Sequence, residues 1–360
     1  MIKKTMNRKY SVYIPILILL LLFLFDKLAL VPNFQDCCIQ GGLEIFFEAS
    51  KNDEFPIQER IESAVANQKK IAFNFGSSLS YGFYFNKSKL YFGATEKLTE
   101  QNKARVKDWE ILNFATPGVT VLSHYVRLNQ MLDRGVKPNL ILVELAPNSF
   151  NANSPYYISE ITNAVPLSFV FEHFSEIPFE HFRRILISRI FILSHKKIGK
   201  PNKTSNLLHG YFQKFIHHYG KDEDSENTPE SFHVGKENIG NAFVSQFLLQ
   251  VLKINFTNYS VAPDLEVYAY LLLAKAKTNN IPIIFWFPAL HPDAVKSIAE
   301  TNTPAVWEKF LQDSKGISSH FVNVNEPENF CEEFIDPMHM GVSCFAKSFP
   351  RFLEKIETYE

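Results

Sequence analysis

A chain of 360 residues and 41.5 kDa is long enough for one large or two ordinary domains with a sizeable buried core. Hydrophobic residues at 46% and charged residues at 21% lie near the globular average, which excludes a wholly disordered chain and a multi-span membrane protein. The 37 Lys and Arg balance 38 Asp and Glu to a net charge of -1, so no basic excess points to nucleic acid, and none is expected as a partner.

Lys3, Lys4, Arg8 and Lys9 precede an uncharged run from Tyr10 to Phe25. As a helix that run covers only ~24 Å of a ~30 Å hydrocarbon core, but Leu28-Ala29-Leu30-Val31 extends it beyond Asp26 and Lys27, which can snorkel or pair. No A-x-A cleavage site follows, so the pattern predicts a transmembrane signal anchor over 10–32 rather than a cleaved signal peptide. By the positive-inside rule, residues 1–9 form a cytosolic basic tail. The expected localisation is the inner (cytoplasmic) membrane, single-pass, with the soluble domain on the extracytoplasmic side. Residues 33–69, with Gly41-Gly42, read as a linker. Cys37 follows Gln35 and Asp36, which form no lipobox.

Short apolar runs at 71–75, 110–114, 140–145, 281–287 and 320–324 read as buried strands. Helical patterns lie between them at Thr120–Arg134 and Asp264–Asn279. A last one, Val342–Ile356, carries Val342, Phe345, Ala346, Phe349, Leu353 and Ile356 on one apolar face despite Pro350. The alternation predicts a three-layer α/β domain, a parallel sheet with helices on both faces, built from 70–150 and 261–360. Residues 151–260 interrupt it with amphipathic helices, including one that starts after Pro178, and read as a helical insertion. Its polar stretch Lys221–Glu237 reads as a mobile loop. The insertion is expected to cover the site, excluding water and selecting an acceptor; packing on a membrane or partner is the alternative. Cys331 and Cys344 can pair in an oxidising compartment, but two buried thiols is the favoured reading, and no CxxC pair supports a zinc site.

Four elements stand at strand ends, in order. Phe75-Gly76-Ser77-Ser78 follows the first strand, where a serine is either a helix cap or, exposed at the carboxyl end of a parallel strand, a nucleophile. Gly118 ends the second strand's Pro-Gly turn and can bring a backbone N–H close to a ligand. Asn148 in Ala146-Pro147-Asn148-Ser149 can donate its amide to a developing oxyanion, or simply cap a turn. Asp336-Pro337-Met338-His339 supplies an imidazole to take the serine proton and a carboxylate to orient the ring. A metal reading of Asp336 and His339 finds no third ligand at suggestive spacing, and no metal or cofactor is expected.

At these residues the chain resembles the SGNH (GDSL-like) hydrolase superfamily, whose blocks are a GDS serine, a glycine, a GxND asparagine and a C-terminal DxxH. The resemblance implies a flavodoxin-like SGNH hydrolase fold over roughly 70–150 and 260–356. It implies Ser78 as nucleophile, His339 as base, Asp336 as its orienting acid, and an oxyanion hole of the Ser78 and Gly118 N–H groups with Asn148. The chain departs from the pattern at Ser77, where the family has aspartate, and in the third block, which keeps only its asparagine; Asn151 is the substitute for Asn148. With its anchor, GSS block and insertion, it is similar to the envelope branch that includes the D-alanyl transfer protein of teichoic acids and the alginate O-acetylation proteins. The implied function is a membrane-anchored serine acyltransferase or esterase acting on cell-envelope glycan or lipid esters through an acyl-serine, with an acyl-donating membrane protein as a further partner. A noncatalytic assembly or binding protein of the same fold is the second reading, and a phosphodiesterase or metal hydrolase the third.

Overall fold

The structure, a computed structural model, describes residues 10–28, 54–81, 98–116, 118–153, 165–191, 232–233, 249, 252–253, 256–326, 331, 333–334 and 337–357. The basic tail, residues 29–32 of the expected anchor, most of the 33–69 linker and Asp336 lie outside the described residues.

Five strands form one parallel sheet: β1 (Lys70–Phe75), β2 (Trp109–Asn113), β3 (Leu140–Glu144), β4 (Ile283–Phe287) and β5 (Phe321–Asn323), in the order β2-β1-β3-β4-β5. This is the flavodoxin-like order, and its direction reverses between β1 and β3. The runs are rich in Ile, Val and Phe, side chains that fit a pleated, buried surface. The strand expected from 281 begins at Ile283, after Pro282, which has no N–H for a ladder.

In chain order the helices are α1 (Tyr10–Leu28), α2 (Glu54–Ala66), α3 (Ser78–Tyr81), α4 (Glu100–Val106), α5 (Val121–Asp133) and α6 (Leu167–Glu172). Then come α7 (Phe179–Ile190), α8 (Pro263–Thr278), α9 (Pro292–Ala299), α10 (Thr303–Asp313), α11 (Lys315–Ser318) and α12 (Val342–Glu357).

Side chains alternate across the sheet, so each strand feeds two cores. Phe73, Phe75, Ile141, Val143 and Phe285 enter one, closed by α2, α5, α8 and α10. Ala72, Leu140, Leu142, Ile284 and Trp286 enter the other, closed by α4 and α12. The result is three layers, helix, sheet, helix.

Local signals place the helices. Thr120 caps α5 by accepting from the Leu122 N–H at 3.3 Å. Pro263 opens α8, with Asp264 and Glu266 in its first turn and Lys275 and Lys277 in its last, matching the helix dipole. Pro350 lies inside α12, where a proline costs about 3 kcal/mol. Phe345, Phe349, Phe352 and Leu353 are all buried, each contributing about 1.5–3 kcal/mol, so packing outweighs the proline and the helix runs through.

One expectation is overturned. Cys331 and Cys344 are bonded, not free thiols: their Cα atoms lie 5.4 Å apart, within the span a disulfide needs. Spacing along the chain carried no sign of that approach. Within the stretch 221–237, read as a loop, Phe232–His233 forms a two-residue strand antiparallel to Glu333–Phe334, just before His339; the rest of that stretch lies outside the described residues.

In α1, Asp26 and Lys27 pair at 3.1 Å, and Lys27 Nζ also donates to the Ile190 carbonyl at 2.6 Å. Phe23 meets Phe191 edge-on, with ring centres 6.4 Å apart. Among the described residues no helix is long and apolar enough to cross a membrane.

Candidate active site

The loops that leave β1, β2 and β3 share one edge of the sheet because all three strands are parallel neighbours. Gly76 and Ser77 leave β1, and Ser78 opens α3 half-buried, with Ser77 and Ser80 fully enclosed beside it. A Cβ at Gly76 would sit 1.8 Å from Ser80 Oγ and 2.7 Å from Glu144 Oε2, so a side chain there would displace the groups that hold this loop.

Glu144, the last residue of β3, fastens this loop. Its Oε1 accepts from Ser77 Oγ at 2.5 Å, and its Oε2 from the Ser77 N–H at 3.0 Å and Ser80 Oγ at 2.5 Å. Burial pushes the Glu144 carboxyl above the usual carboxylate range, while those hydrogen bonds and the nearby charge of His339 pull it back. The carboxylate therefore sits at the reversal point between β1 and β3, where open α/β sheets bind their ligands. Sequence reasoning missed Glu144. The available signal was one acid inside the apolar run from Leu140 to Ala146.

The second loop is tied to the first. Asn113 Nδ2 donates to the Ser80 carbonyl at 2.9 Å, and the Thr116 N–H to the Gly76 carbonyl at 2.8 Å. Asn74 Nδ2 donates to Asn113 Oδ1 at 2.9 Å, so both asparagines brace the two loops from the strands. Gly118 follows at φ +73°, in the left-handed region that favours glycine.

Asn148 lies half-buried in the 3-10 turn Pro147–Phe150 that follows β3. Its alternative, Asn151, is buried, and its Oδ1 accepts from the Asn153 N–H at 3.0 Å while its backbone bridges to Val261. That side-chain oxygen serves its own loop.

His339 stands just before α12. On either side of it, the Pro337 carbonyl accepts from the His291 N–H at 3.1 Å and Met340 Sδ from the Ala289 N–H at 3.1 Å. Both tie the loop to the carboxyl end of β4. The Cys331–Cys344 bond closes the segment that carries His339.

Thus Ser78, Gly118, Asn148 and His339 all lie in loops at the carboxyl ends of the strands. Glu144 touches the serine loop directly. Asp336 lies outside the described residues. Among the described residues the metal-ligand types Asp133, Glu172 and His173 come together, but two are exposed acids and His173 also lies 3.2 Å from Glu176, an arrangement surfaces carry without an ion. A half-buried hydroxyl at a strand end, a histidine in a braced loop and a backbone N–H at a left-handed glycine are groups that acyl transfer at a carbonyl can use.

The fold and site define a three-layer α/β protein with a buried carboxylate and a serine loop at the sheet's reversal point. A protein-family profile described as "Protein of unknown function (DUF1574)" matches residues 6–356, and the chain belongs to that family. No curated protein matches it. Among solved structures it is similar to one titled "Crystal structure of an acetyl xylan esterase AlAXEase", over 80% of this chain and 98% of that chain, at 10% identity and a TM-score of 0.29. A likeness that distant supports no inference about activity.

Proposed function

We propose that the chain is a serine acyltransferase or esterase with Ser78 as nucleophile and His339 as general base. The observation that carries this reading is that Glu144, at the reversal point of the sheet, fastens the loop that presents Ser78 half-buried at the end of β1. Ser78 Oγ attacks an ester carbonyl and its proton passes to His339. The alcohol leaves with that proton, and the acyl group then moves from Ser78 to an acceptor hydroxyl or water. Asp336 would orient the imidazole, and the N–H groups of Ser78 and Gly118 with the Asn148 amide would hold the oxyanion. Glu144 acts as a positioning residue that fixes the serine loop.

The same reading places the domain outside the cytoplasm, on an N-terminal anchor, acting on envelope glycan or lipid esters, with an acyl-donating membrane protein as a partner. Two observations support it. Disulfides persist in oxidising compartments, and Cys331–Cys344 is one. Apolar side chains from Tyr13 to Phe25 stand exposed on α1, and the sequence continues the apolar run through Leu28, Ala29, Leu30 and Val31.

Hydrolysis of an activated aryl ester by Ser78→Ala, His339→Ala and the double variant tests the chemistry. Each single change should remove most activity, and the double should be little worse, because triad members act as a unit. Near-wild-type turnover by Ser78→Ala would move the nucleophile to Ser77 or Ser80, or remove it altogether.

A further inference from the structure

Beyond the site, exposed apolar side chains run over α6, α7 and α1. Phe171, Phe174 and Phe179 are 61%, 52% and 70% exposed, and they gather around Phe182 with ring centres 6.3, 4.9 and 6.5 Å from it. Ile187 and Ile190 continue the exposure along α7 to its end. Water-facing aromatic clusters of this kind mark interaction surfaces.

What covers the face follows from α1. Its side chains Ile16 to Phe25 are consecutive and exposed, so they surround the helix instead of forming one stripe. A helix apolar on all sides, outside the protein core, is solvated by lipid. The last turn of α1 is fastened to the end of α7 by the Lys27–Ile190 hydrogen bond and the Phe23–Phe191 contact. The phenylalanine face therefore continues from the point where α1 reaches the body of the protein. His181 Nε2 lies 2.8 Å from Asp264 Oδ2 and its Nδ1 3.0 Å from the Tyr268 hydroxyl, which holds α7 on α8 with its aromatic side outward.

We propose that Phe171, Phe174 and Phe179 dock into the headgroup region of the lipid bilayer that receives α1, and so seat the domain flat against the membrane. The inference rests on the anchor reading above.

The test uses the full chain in vesicles of phosphatidylcholine and phosphatidylglycerol, with Cys37 and Cys38 changed to Ser and the Cys331–Cys344 bond intact. Single nitroxide labels at Phe171→Cys, Phe179→Cys, Leu19→Cys and, as a water-facing control, Val65→Cys are read for access to oxygen and to a soluble nickel chelate. Val65 is 65% exposed on α2. Labels at 171, 179 and 19 should show several-fold less nickel access and more oxygen access than the label at 65. If 171 and 179 match the control while 19 reads bilayer, the docking face is wrong and the anchor stands. If 19 also reads water, both fail. Labels at 171 and 179 that read water in vesicles but lose nickel access in native membranes would give the face to a protein partner and overturn the proposal.

Discussion

An enclosed carboxylate raises the free energy of a fold unless its oxygens are occupied, and Glu144 has both occupied by the loop that presents Ser78. Glu144→Gln keeps the shape but replaces one acceptor with an NH2 group facing serine donors. The expected cost is about 1–3 kcal/mol of stability in urea unfolding, with kcat on an aryl ester falling more than KM changes, because the serine loop loses its register. A purely structural glutamate would lower stability and leave kcat per folded molecule unchanged. His124 offers a separate test. Buried against Phe75, it has its pKa lowered to about 3 by desolvation. Between that value and the unfolded value near 6.5, the unfolded chain holds the extra proton. Its contribution to stability is thus present above pH 6.5 and is lost as pH falls, by about 1.4 kcal/mol per pH unit. His124→Gln should flatten the dependence of the urea midpoint on pH between 6 and 4; an unchanged slope would rule the residue out as its source. The positions of Ser78, Gly118 and Asn148 after strands and of His339 before the last helix were legible in the sequence, from the order of the apolar runs. Glu144 was not, since a lone acid at a strand end is common and only the approach of β1 to β3 gives it partners.

Among the elements, the disulfide has the most direct consequence for the site. It joins residues 13 apart in the chain, a closure worth about 3 kcal/mol in the loop-entropy account. Replacing Cys331 and Cys344 with serine should lower stability by about 2–3 kcal/mol and depress esterase activity at temperatures where the domain stays folded, because the His339 loop is released at one end. Equal activity per folded molecule would show that the contacts of Pro337 and Met340 hold the loop alone. The bond itself could not be read from sequence, since 13 residues can place two cysteines near or far. The strands and the helices α5, α8 and α12 were legible to within a residue or two, for their apolar periods and caps agree with the packing they enter. The strand at Phe232–His233 was hidden in a charged stretch, and it forms only because Glu333–Phe334 offers it an edge.

At the scale of the molecule, the sheet order puts the loops of Ser78, Gly118, Asn148 and His339 on one edge, and α1 joins the body at the end of α7. A tag at the C-terminus should be digested by protease added to intact spheroplasts. Full protection until lysis would reverse the proposed orientation. The most direct test of the account is to react the full chain with a fluorophosphonate probe and locate the adduct by peptide mass spectrometry. The adduct is expected on Ser78, absent in Ser78→Ala and strongly reduced in His339→Ala. An unlabelled wild-type chain with its disulfide intact, or an adduct on Ser77 or Ser80, would contradict the assignment of Ser78 as the nucleophile.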